Sequence, residues 1–566
     1  MFPRSSQHIL VSTGVCLSET KWPVEVNRVE RGFFDGRTLP KELFNRVRVP
    51  VELFLVVRMD HNTLALLVLA MVLVWLSQEY FAWQRRHRPF PPGPSPYPLV
   101  ENFWDIPTKL PWLTYTKWGH QYSSDIVHAS ALGQHFVVVN SVKAAAELFE
   151  KRAHLYSGRP VLTMIELMGW DFTFAFLPGG DKWRDRRKMF QQHFRLDMSR
   201  NYHPIQMKKV HLLLQELLSS PQEFREHLKT LAAAVIMATV YGYEVQPTND
   251  HFVDISEDAM KRLSDSFFPG AVAVNTFPIL RYLPSWMPGA GFQRFAAECR
   301  HLIKEMREAP FNFVKQNMRD GTDSTSVVAR LLEGNRYDED AIQDVAGTAY
   351  AAGADTTVSS LASFFLAMAL HPSIQKKAQT EIDTVIGTHR LPEFEDRPSL
   401  PYVEALYREL MRWKPVGPLG VAHASTADDV YNGYFIPKGT TVISNIWAMT
   451  RDESIYPEPE RFNPDRFFTA DGELNDDNTV LAFGFGRRIC VGRHNADATL
   501  WATFVSVLAT FNIAKAKDDT GEEIEIDPSF YSDALISHPQ PFACSIIPRS
   551  ETAKSLVQAT METHDF

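Results

Sequence analysis

The chain has 566 residues, of which 45% are hydrophobic and 22% are charged, and its formal net charge is −9. This composition is typical of a folded globular protein and excludes a disordered or collagen-like chain. Four scattered cysteines are too few for a disulfide framework and favour a reducing compartment. The acidic balance, without a sustained basic stripe, predicts that nucleic acid is not a partner.

The first 58 residues combine nine Lys or Arg with six Asp or Glu and contain no clean signal-peptide core. An organelle transit peptide would be poor in acidic residues, and this segment is not. Met59 opens a short amino terminus directly before an apolar run. We therefore expect residues 1–58 to be an upstream extension of the reading frame that the mature protein lacks.

Residues 59–83 predict a single membrane-anchor helix. Its core, 64–76, is uninterrupted apolar sequence, and an aromatic belt at 80–83 precedes the basic run 85–88. A buried core helix is the alternative, because the run is shorter than the roughly 20 residues of a full span. Positive charge after the anchor favours a cytosolic location for the rest of the chain. The proline-rich connector 84–98 predicts a stiff link to the body of the protein.

Residues 99–549 contain no repeat or flexible linker and predict one catalytic domain, followed by a flexible tail at 550–566. Strand-like sequence is limited to short pieces such as 135–140 and 440–446. The fold class is therefore mainly α with a minor β portion. Apolar residues recur at helical spacing in seven segments, 139–154, 205–218, 223–242, 293–318, 340–370, 373–386 and 401–413.

The segment 340–370 is the longest of these and would be roughly 45 Å long as a helix. Because it is apolar almost all round, we expect it to run through the centre of the molecule. Its middle, 346–357, is rich in Gly and Ala, which let a flat and bulky group approach the helix backbone closely.

The most specific motif is Phe483-x-x-Gly486-x-Arg488-x-Cys490-x-Gly492, directly before a helical run from His494. A glycine-rich loop around a sulfur offers backbone N–H donors, and the following helix amino terminus adds partial positive charge. These conditions keep a cysteine deprotonated as a metal ligand. The alternative for a lone cysteine is a small buried hydrophobe. A dinucleotide-binding loop is excluded, because Ile489 stands where that pattern requires glycine.

Three weaker motifs precede this loop. They are Trp183-x-x-x-Arg187, the run Ala352-Gly353-Ala354-Asp355-Thr356-Thr357, and Glu409-x-x-Arg412. Taken singly, each has an ordinary explanation as a solvated helix face, a back-bonded hydroxyl or a surface ion pair. In this order, and with the cysteine loop, they resemble the cytochrome P450 family of haem-thiolate monooxygenases over about residues 59–549.

The resemblance implies haem b, with Cys490 as the axial thiolate ligand of its iron. It makes Asp355 and Thr356 the catalytic residues that deliver protons beside bound O2. Glu409, Arg412 and Arg461, the last in Pro459-Glu460-Arg461-Phe462, would form a buried ionic triad that holds the cysteine loop. The cofactor-binding residues that it implies are Trp183, Arg187, His423, Phe483, Arg488 and Cys490.

The resemblance also implies partners and a location. Electrons would come from NADPH through NADPH–cytochrome P450 reductase, with cytochrome b5 as a further candidate donor. Exposed members of the basic cluster 184–188 are a candidate dock for an acidic reductase. The protein would be a single-pass protein of the endoplasmic reticulum membrane with a cytosolic catalytic domain.

Stretches at 111–114, 167–170 and 282–289 are similar to fungal microsomal members of the family that act in specialised metabolism. Such a position implies a small hydrophobic substrate of terpenoid, polyketide or indole-like type. The implied pocket segments are 156–176, 266–277, 349–352 and 416–421, and a second membrane contact is expected between 267 and 287. The alternatives are a haem-thiolate isomerase or peroxygenase that needs no O2 activation, a fatty-acid or xenobiotic hydroxylase, and a non-catalytic haem carrier.

Overall fold

The computed structural model describes residues 69, 72, 73, 75, 76, 89–267, 273–322, 325–478, 480–529 and 531–562. The predicted extension 1–58 and most of the predicted anchor 59–83 lie outside these residues. The five described residues of the anchor are helical, apolar and exposed: Leu69, Val72, Leu73, Trp75 and Leu76.

Helices dominate the part of the chain that the structure describes. From residue 111 onward the α-helices are α1 Pro111–Gln121, α2 Val142–Ala145, α3 Ala153–Tyr156, α4 Thr163–Met168, α5 Asp181–Phe194, α6 Leu196–Ser199, α7 His203–Ser219, α8 Phe224–Tyr241, α9 His251–Phe267, α10 Ala273–Thr276, α11 Gly291–Asp320, α12 Val327–Glu333, α13 Glu339–Leu370, α14 Pro372–Val385, α15 Pro401–Trp413, α16 Ile446–Met449, α17 Arg493–Thr510 and α18 Glu551–Glu562. The strands are β1 Ile126–Ala131, β2 Gln134–Val139, β3 His423–Ala424, β4 Asp429–Tyr431, β5 Tyr434–Ile436, β6 Thr441–Ser444, β7 Phe511–Lys515 and β8 Cys544–Pro548. The prediction of a mainly helical fold with a minor β portion is confirmed.

Helix α13 is the central element, as its sequence predicts. The carboxylate of Asp338 caps it by accepting a hydrogen bond from the Ala341 N–H. Its 32 residues span about 48 Å at 1.5 Å per residue, and it packs against α5, α8, α11 and α17. Of the described helices, only α13 is long and apolar enough to cross a membrane, and 72% of its most apolar stretch is buried. It is therefore the core helix of the domain.

Six of the seven helical segments predicted from spacing end within about two residues of the observed helices α7, α8, α11, α13, α14 and α15. The segment 139–154 is less regular, because β2 extends to Val139 and a π-helical turn at Ala146–Lys151 separates α2 from α3. Both predicted strands are present as β2 and β6.

The prediction of a flexible tail at 550–566 is wrong for most of that segment, because α18 occupies Glu551–Glu562 and packs on α7. Ala553, Val557 and Thr560 recur at a spacing of four and three residues and are buried. This spacing gives the helix an apolar face that removes it from solvent.

The main sheet has the strand order β1-β2-β6-β3. Strands β1 and β2 form an antiparallel hairpin, whereas β2 and β6 are parallel, with Phe136 opposite Thr441. Residues 82–566 form one compact unit. Within it, the core helices and the loops that carry the sequence motifs converge on one cavity.

Candidate active site

The cavity has a volume of about 320 Å³. Helix α13 contributes one face to it, with lining residues at alternating steps of one and three along the sequence, which places small and hydroxyl side chains along the wall. These residues are Thr348, Ala349, Ala352, Gly353, Thr356, Thr357 and Ser360. Helices α5 and α8, the amino terminus of α17 and the loop that contains Cys490 complete the lining.

The cysteine loop is held in shape by its backbone. The Cys490 N–H donates to the Phe483 carbonyl at 2.9 Å, which closes the loop. Gly484 and Gly486 have φ angles of +80° and +52°, and a Cβ at Gly486 would lie 2.1 Å from the Phe149 carbonyl oxygen. A side chain at position 486 therefore cannot be accommodated without displacing the backbone of residue 149.

Cys490 lines the cavity, and its side chain is accessible from it. Burial raises the pKa of the Cys490 thiol, while backbone hydrogen bonds from Gly492 and Arg493 and the charge of Arg187 oppose this rise. The donors stand at the amino terminus of α17, which begins at Arg493. This is the loop geometry that the sequence pattern predicts.

Three arginines face the same cavity. Arg159 donates to the carbonyls of Ala175, Val421 and Ala422 at 2.7 to 2.8 Å. Arg187 donates to the Ile489 carbonyl at 2.7 Å. Arg488 donates to the Ser157 and Leu177 carbonyls at 2.9 Å.

These three cations have no carboxylate partner in the part of the chain that the structure describes, where none lies within 4.0 Å of Arg159, Arg187 or Arg488. Burial and the charge of Arg187 lower the pKa of Arg488 to about 10. Burial, Arg488 and Arg187 lower the pKa of Arg159 well below its ordinary value. Buried and mutually repelling cations require an anion, and a ligand with two carboxylates supplies one.

Trp183 and His423 also belong to this cluster. The Arg488 guanidinium lies 4.1 Å from the centre of the Trp183 ring. His423 Nδ1 donates to the Tyr156 carbonyl at 2.7 Å, and burial, Arg159 and Arg488 hold its pKa well below the ordinary value. His423 is therefore neutral in this environment, with its ring lining the cavity.

Arg159 is the member of this cluster that the sequence motifs did not identify. It stands in Ser157-Gly158-Arg159-Pro160, which matches none of them. The one local signal is an arginine within a mostly apolar segment, and its distance along the chain from Arg488 hides their proximity.

Thr356 and Asp355 occupy different positions around α13. Thr356 lines the cavity, and its hydroxyl donates to the Ala352 carbonyl at 2.7 Å. This is the back-bonded hydroxyl of the alternative interpretation, yet it lies in the cavity wall. Asp355 is not part of the lining, and its carboxylate lies 3.1 Å from His538 Nε2.

The predicted ionic triad requires a correction. Glu409 and Arg412 are fully buried and make a bidentate pair at 2.6 and 2.8 Å. The third member is Arg466, whose Nε lies 3.2 Å from the same carboxylate. Arg461 is exposed and pairs with Glu458 at 3.1 Å.

The error has a simple source in the sequence. The chain contains two consecutive copies of Pro-acid-Arg-Phe, at 459–462 and 464–467, and the literal match is the first. The second forms a 3₁₀ turn whose arginine points back to α15, and the Asn463 N–H before it donates to Glu409 at 2.7 Å.

The basic cluster of α5 divides among three environments. Arg187 lines the cavity, while Arg186 pairs at 2.9 Å with buried Asp344. Lys182, Arg184 and Lys188 are exposed. The solvated-face interpretation concerned the cluster 184–188, and within it this interpretation holds for Arg184 and Lys188 alone.

The predicted pocket segments are partly those of the cavity. Residues of 156–176, 349–352 and 416–421 line it, but the described residues of 266–277 do not. Helix α8, through Ala232, Val235 and Ile236, lines the cavity although no motif indicated it. The same is true of Leu535 and Ile536 near the carboxyl end.

Comparison with known proteins gives a consistent result. The family model for cytochrome P450 matches residues 91–544. Cytochrome P450 monooxygenase ple1 of Rhodocybe pseudopiperita is 40% identical over 87% of this chain and 96% of its own length. Cytochrome P450 monooxygenase 208 of Postia placenta is 42% identical over 91% of this chain and 99% of its own length. Cytochrome P450 monooxygenase claR of Ampulloclitocybe clavipes is 38% identical over 89% of this chain and 94% of its own length.

Proposed function

The chain belongs to the cytochrome P450 family and is a monooxygenase, and we propose that it inserts one oxygen atom of O2 into a C–H or C=C bond of a small hydrophobic molecule. The observation that carries this proposal is the convergence on one cavity of a cysteine sulfur and three arginines that have no carboxylate partner among the described residues. A thiolate for the iron and cations for the two propionates are a set of groups that can hold haem b.

The residues present fit that cofactor. Cys490 would hold the iron, and Arg159, Arg187, Arg488 and Trp183 would hold the propionates, whose charge offsets the repulsion among the arginines. His423 and Phe483 would complete the binding site. When bound, the haem supplies the redox chemistry that activates O2.

The roles of the chain follow from where its side chains lie. The backbone donors of Gly492 and Arg493 favour the thiolate form of Cys490. Thr356 holds a hydroxyl in the cavity wall, where it can pass a proton. Asp355, one position earlier on α13, would supply that proton from outside the cavity. The apolar side chains of the wall exclude other water and so limit unproductive proton delivery.

The substrate class follows from the lining. Val235, Ile236, Val416, Val421 and Leu535 present apolar surface, and none of the lining residues is a carboxylate. A hydrophobic molecule of terpenoid, polyketide or indole-like type suits such a wall. A cationic metabolite would lose its hydration without gaining a carboxylate partner, and the lining arginines would be occupied by the propionates. The similar proteins named for comparison are fungal enzymes, which supports a role in fungal secondary-metabolite biosynthesis.

Electrons would come from NADPH through NADPH–cytochrome P450 reductase, with cytochrome b5 as a further donor. The exposed cations Lys182, Arg184 and Lys188 lie on the helix whose Arg187 lines the cavity. A reductase with an acidic face would therefore dock near the cofactor.

A location at the endoplasmic reticulum membrane, with a single span and a cytosolic catalytic domain, is supported by exposed apolar surface. The described residues of the predicted anchor are exposed, and Ile279, Tyr282 and Trp286 are exposed by 72%, 75% and 77%. Large apolar side chains in one short segment are typical of a membrane contact.

The test is co-expression with a microsomal reductase and incubation with a panel of terpenoids, polyketides and indoles, analysed by mass spectrometry. We expect an NADPH-dependent product with one atom derived from labelled O2. A product that forms without NADPH or O2 would instead indicate a peroxide-dependent enzyme or an isomerase.

A further inference from the structure

A polar turn near the carboxyl end lies against the central helix. The turn is closed by pairing of Tyr531 with Pro539 and by a hydrogen bond from the Ser532 N–H to the His538 carbonyl at 2.7 Å. Its tip carries Leu535 and Ile536 into the wall of the cavity. The turn therefore has one end in the cavity and the other at the side of α13.

Three residues of α13 at successive helical turns bind this polar turn. Ser359 donates to the Ser537 carbonyl at 2.6 Å, and Ser363 accepts from the Tyr531 hydroxyl at 3.0 Å. The third residue is Asp355, whose Oδ1 lies 3.1 Å from His538 Nε2. Their spacing of four residues places all three on one face of the helix.

The His538–Asp355 pair stands between solvent and the cavity. The two side chains are 25% and 24% exposed, so water reaches both. Asp355 does not line the cavity, but the next residue, Thr356, does. A proton that enters at His538 thus reaches Asp355, which precedes Thr356 of the cavity wall in the sequence.

We propose that His538 is the proton carrier that loads Asp355 from solvent, an inference that rests on the proposed function. The Nε2–H bond of the imidazolium breaks and its electron pair stays on the nitrogen. The proton forms an O–H bond with Asp355 Oδ1, and the neutral imidazole takes its next proton from water. No oxidant or reductant takes part in this transfer.

Histidine is suited to this step because its ordinary pKa lies close to neutral pH. The other ionisable groups at this position are Arg225, which donates to the Pro539 and Gln540 carbonyls, and Tyr531 and Asp533 of the turn itself. Burial raises the pKa of Tyr531, which stays neutral, and burial also raises the pKa of Asp533. His538 is thus the imidazole of this contact, at hydrogen-bond distance from Asp355.

Two variants separate proton transfer from positioning. His538→Gln keeps an N–H that can donate to Asp355 but cannot carry a proton, whereas His538→Ala removes both functions. The matched control is His251→Ala, because His251, exposed at the amino-terminal end of α9, makes a similar pair with Glu305 at 2.9 Å. Carbon-monoxide spectra of each holoenzyme verify that it has folded and bound haem.

The measurement is product formed per NADPH consumed, with reductase and substrate, in H2O and in D2O. We expect both His538 variants to lose several-fold in yield, to release more peroxide and to show a larger solvent isotope effect, while His251→Ala behaves as wild type. Wild-type yield and isotope effect in His538→Gln would overturn the proposal and leave His538 a positioning residue.

A second readout does not depend on turnover. In the diamagnetic ferrous carbon-monoxide form of the holoenzyme, nuclear magnetic resonance of labelled histidine resolves the imidazole signals of His538. Asp355→Asn should shift the Nε2 resonance of His538, because the carboxylate that lies 3.1 Å from this nitrogen is lost. An unchanged Nε2 resonance would show that the two side chains do not interact and would overturn the proposal. If wild-type enzyme forms no product from any substrate, the proposed function fails, and this comparison of resonances still decides whether the pair exists.

Discussion

The Nε of Arg466 lies 3.2 Å from the Glu409 carboxylate, and both side chains are buried, Glu409 at 0% exposure and Arg466 at 8%. Arg412 binds the same carboxylate in a bidentate pair and also donates to the Thr450 carbonyl at 2.9 Å. A buried carboxylate is thereby shared between α15 and the turn at 464–467. Removing Arg466 leaves Glu409 paired with Arg412 alone and takes away the donor that ties this turn to α15.

We therefore expect Arg466→Ala to lower the free energy of unfolding by about 1.5 to 3 kcal/mol, the usual effect of losing a hydrogen bond to a charged group. Arg461→Ala should stay within about 0.5 kcal/mol of wild type, because that side chain is exposed. Chemical denaturation measures both. A larger loss in Arg461→Ala than in Arg466→Ala would restore the triad predicted from sequence.

Gly486 and Gly484 provide a test of the cysteine loop. Gly484→Ala should cost about 1 to 2 kcal/mol for its left-handed backbone, since open space surrounds the position. In Gly486→Ala the new Cβ would also lie 2.1 Å from the Phe149 carbonyl oxygen. Overpacking of this kind costs about 1 to 3 kcal/mol in addition to the backbone strain. Gly486→Ala should therefore have both a lower free energy of unfolding in denaturation curves and a lower haem content than Gly484→Ala. Equal damage would contradict the close approach at residue 149.

Cys490→Ser should abolish the carbon-monoxide spectrum that is characteristic of thiolate-ligated haem, because a serine hydroxyl does not replace a thiolate at iron. Cys544→Ser is the matched control, as Cys544 does not line the cavity. Spectra of the reduced proteins measure this. A normal spectrum for Cys490→Ser would exclude Cys490 as the ligand.

Thr356→Ala should consume NADPH and yield mostly peroxide, because the hydroxyl that orders proton delivery is lost from the cavity wall. Thr503→Ala is the control, since Thr503 is a buried helical threonine whose hydroxyl is back-bonded to Thr499 at 2.8 Å outside the cavity lining. Product and peroxide are measured per NADPH. Full product yield in Thr356→Ala would refute its role.

Acid pH should destabilise the protein through His128. Burial, with a contribution from His135, lowers the pKa of His128 to about 3, whereas the unfolded chain has an ordinary value near 6.5. Between these values the unfolded state binds the extra proton. The contribution of neutral His128 to the free energy of unfolding is therefore fully present above about pH 6.5. It decreases as the pH falls toward 3, by about 1.4 kcal/mol per pH unit for one proton.

His128→Gln should flatten this part of the stability profile, measured by denaturant unfolding at successive pH values. His389→Gln, at an exposed histidine, should leave the slope unchanged. The assignment fails if the two variants have the same slope.

Much of this protein could be predicted from local sequence. Helices α7, α8, α11, α13, α14 and α15 carry their own periodic apolar faces, so each is encoded within its own segment. The cysteine loop is equally local, because its shape depends on glycines and backbone donors within ten residues. The family assignment made from these motifs is confirmed by the matches to known proteins.

Only the tertiary structure decided which distant residues meet. Two copies of Pro-acid-Arg-Phe compete for Glu409 in the sequence, and the position of the 3₁₀ turn against α15 selects Arg466. Arg159 joins Arg187 and Arg488 only because the chain between them folds around one cavity. His538 contacts Asp355, although the two residues are 183 positions apart in the sequence. Such contacts depend on the packing of whole elements, and no local pattern of residues encodes them.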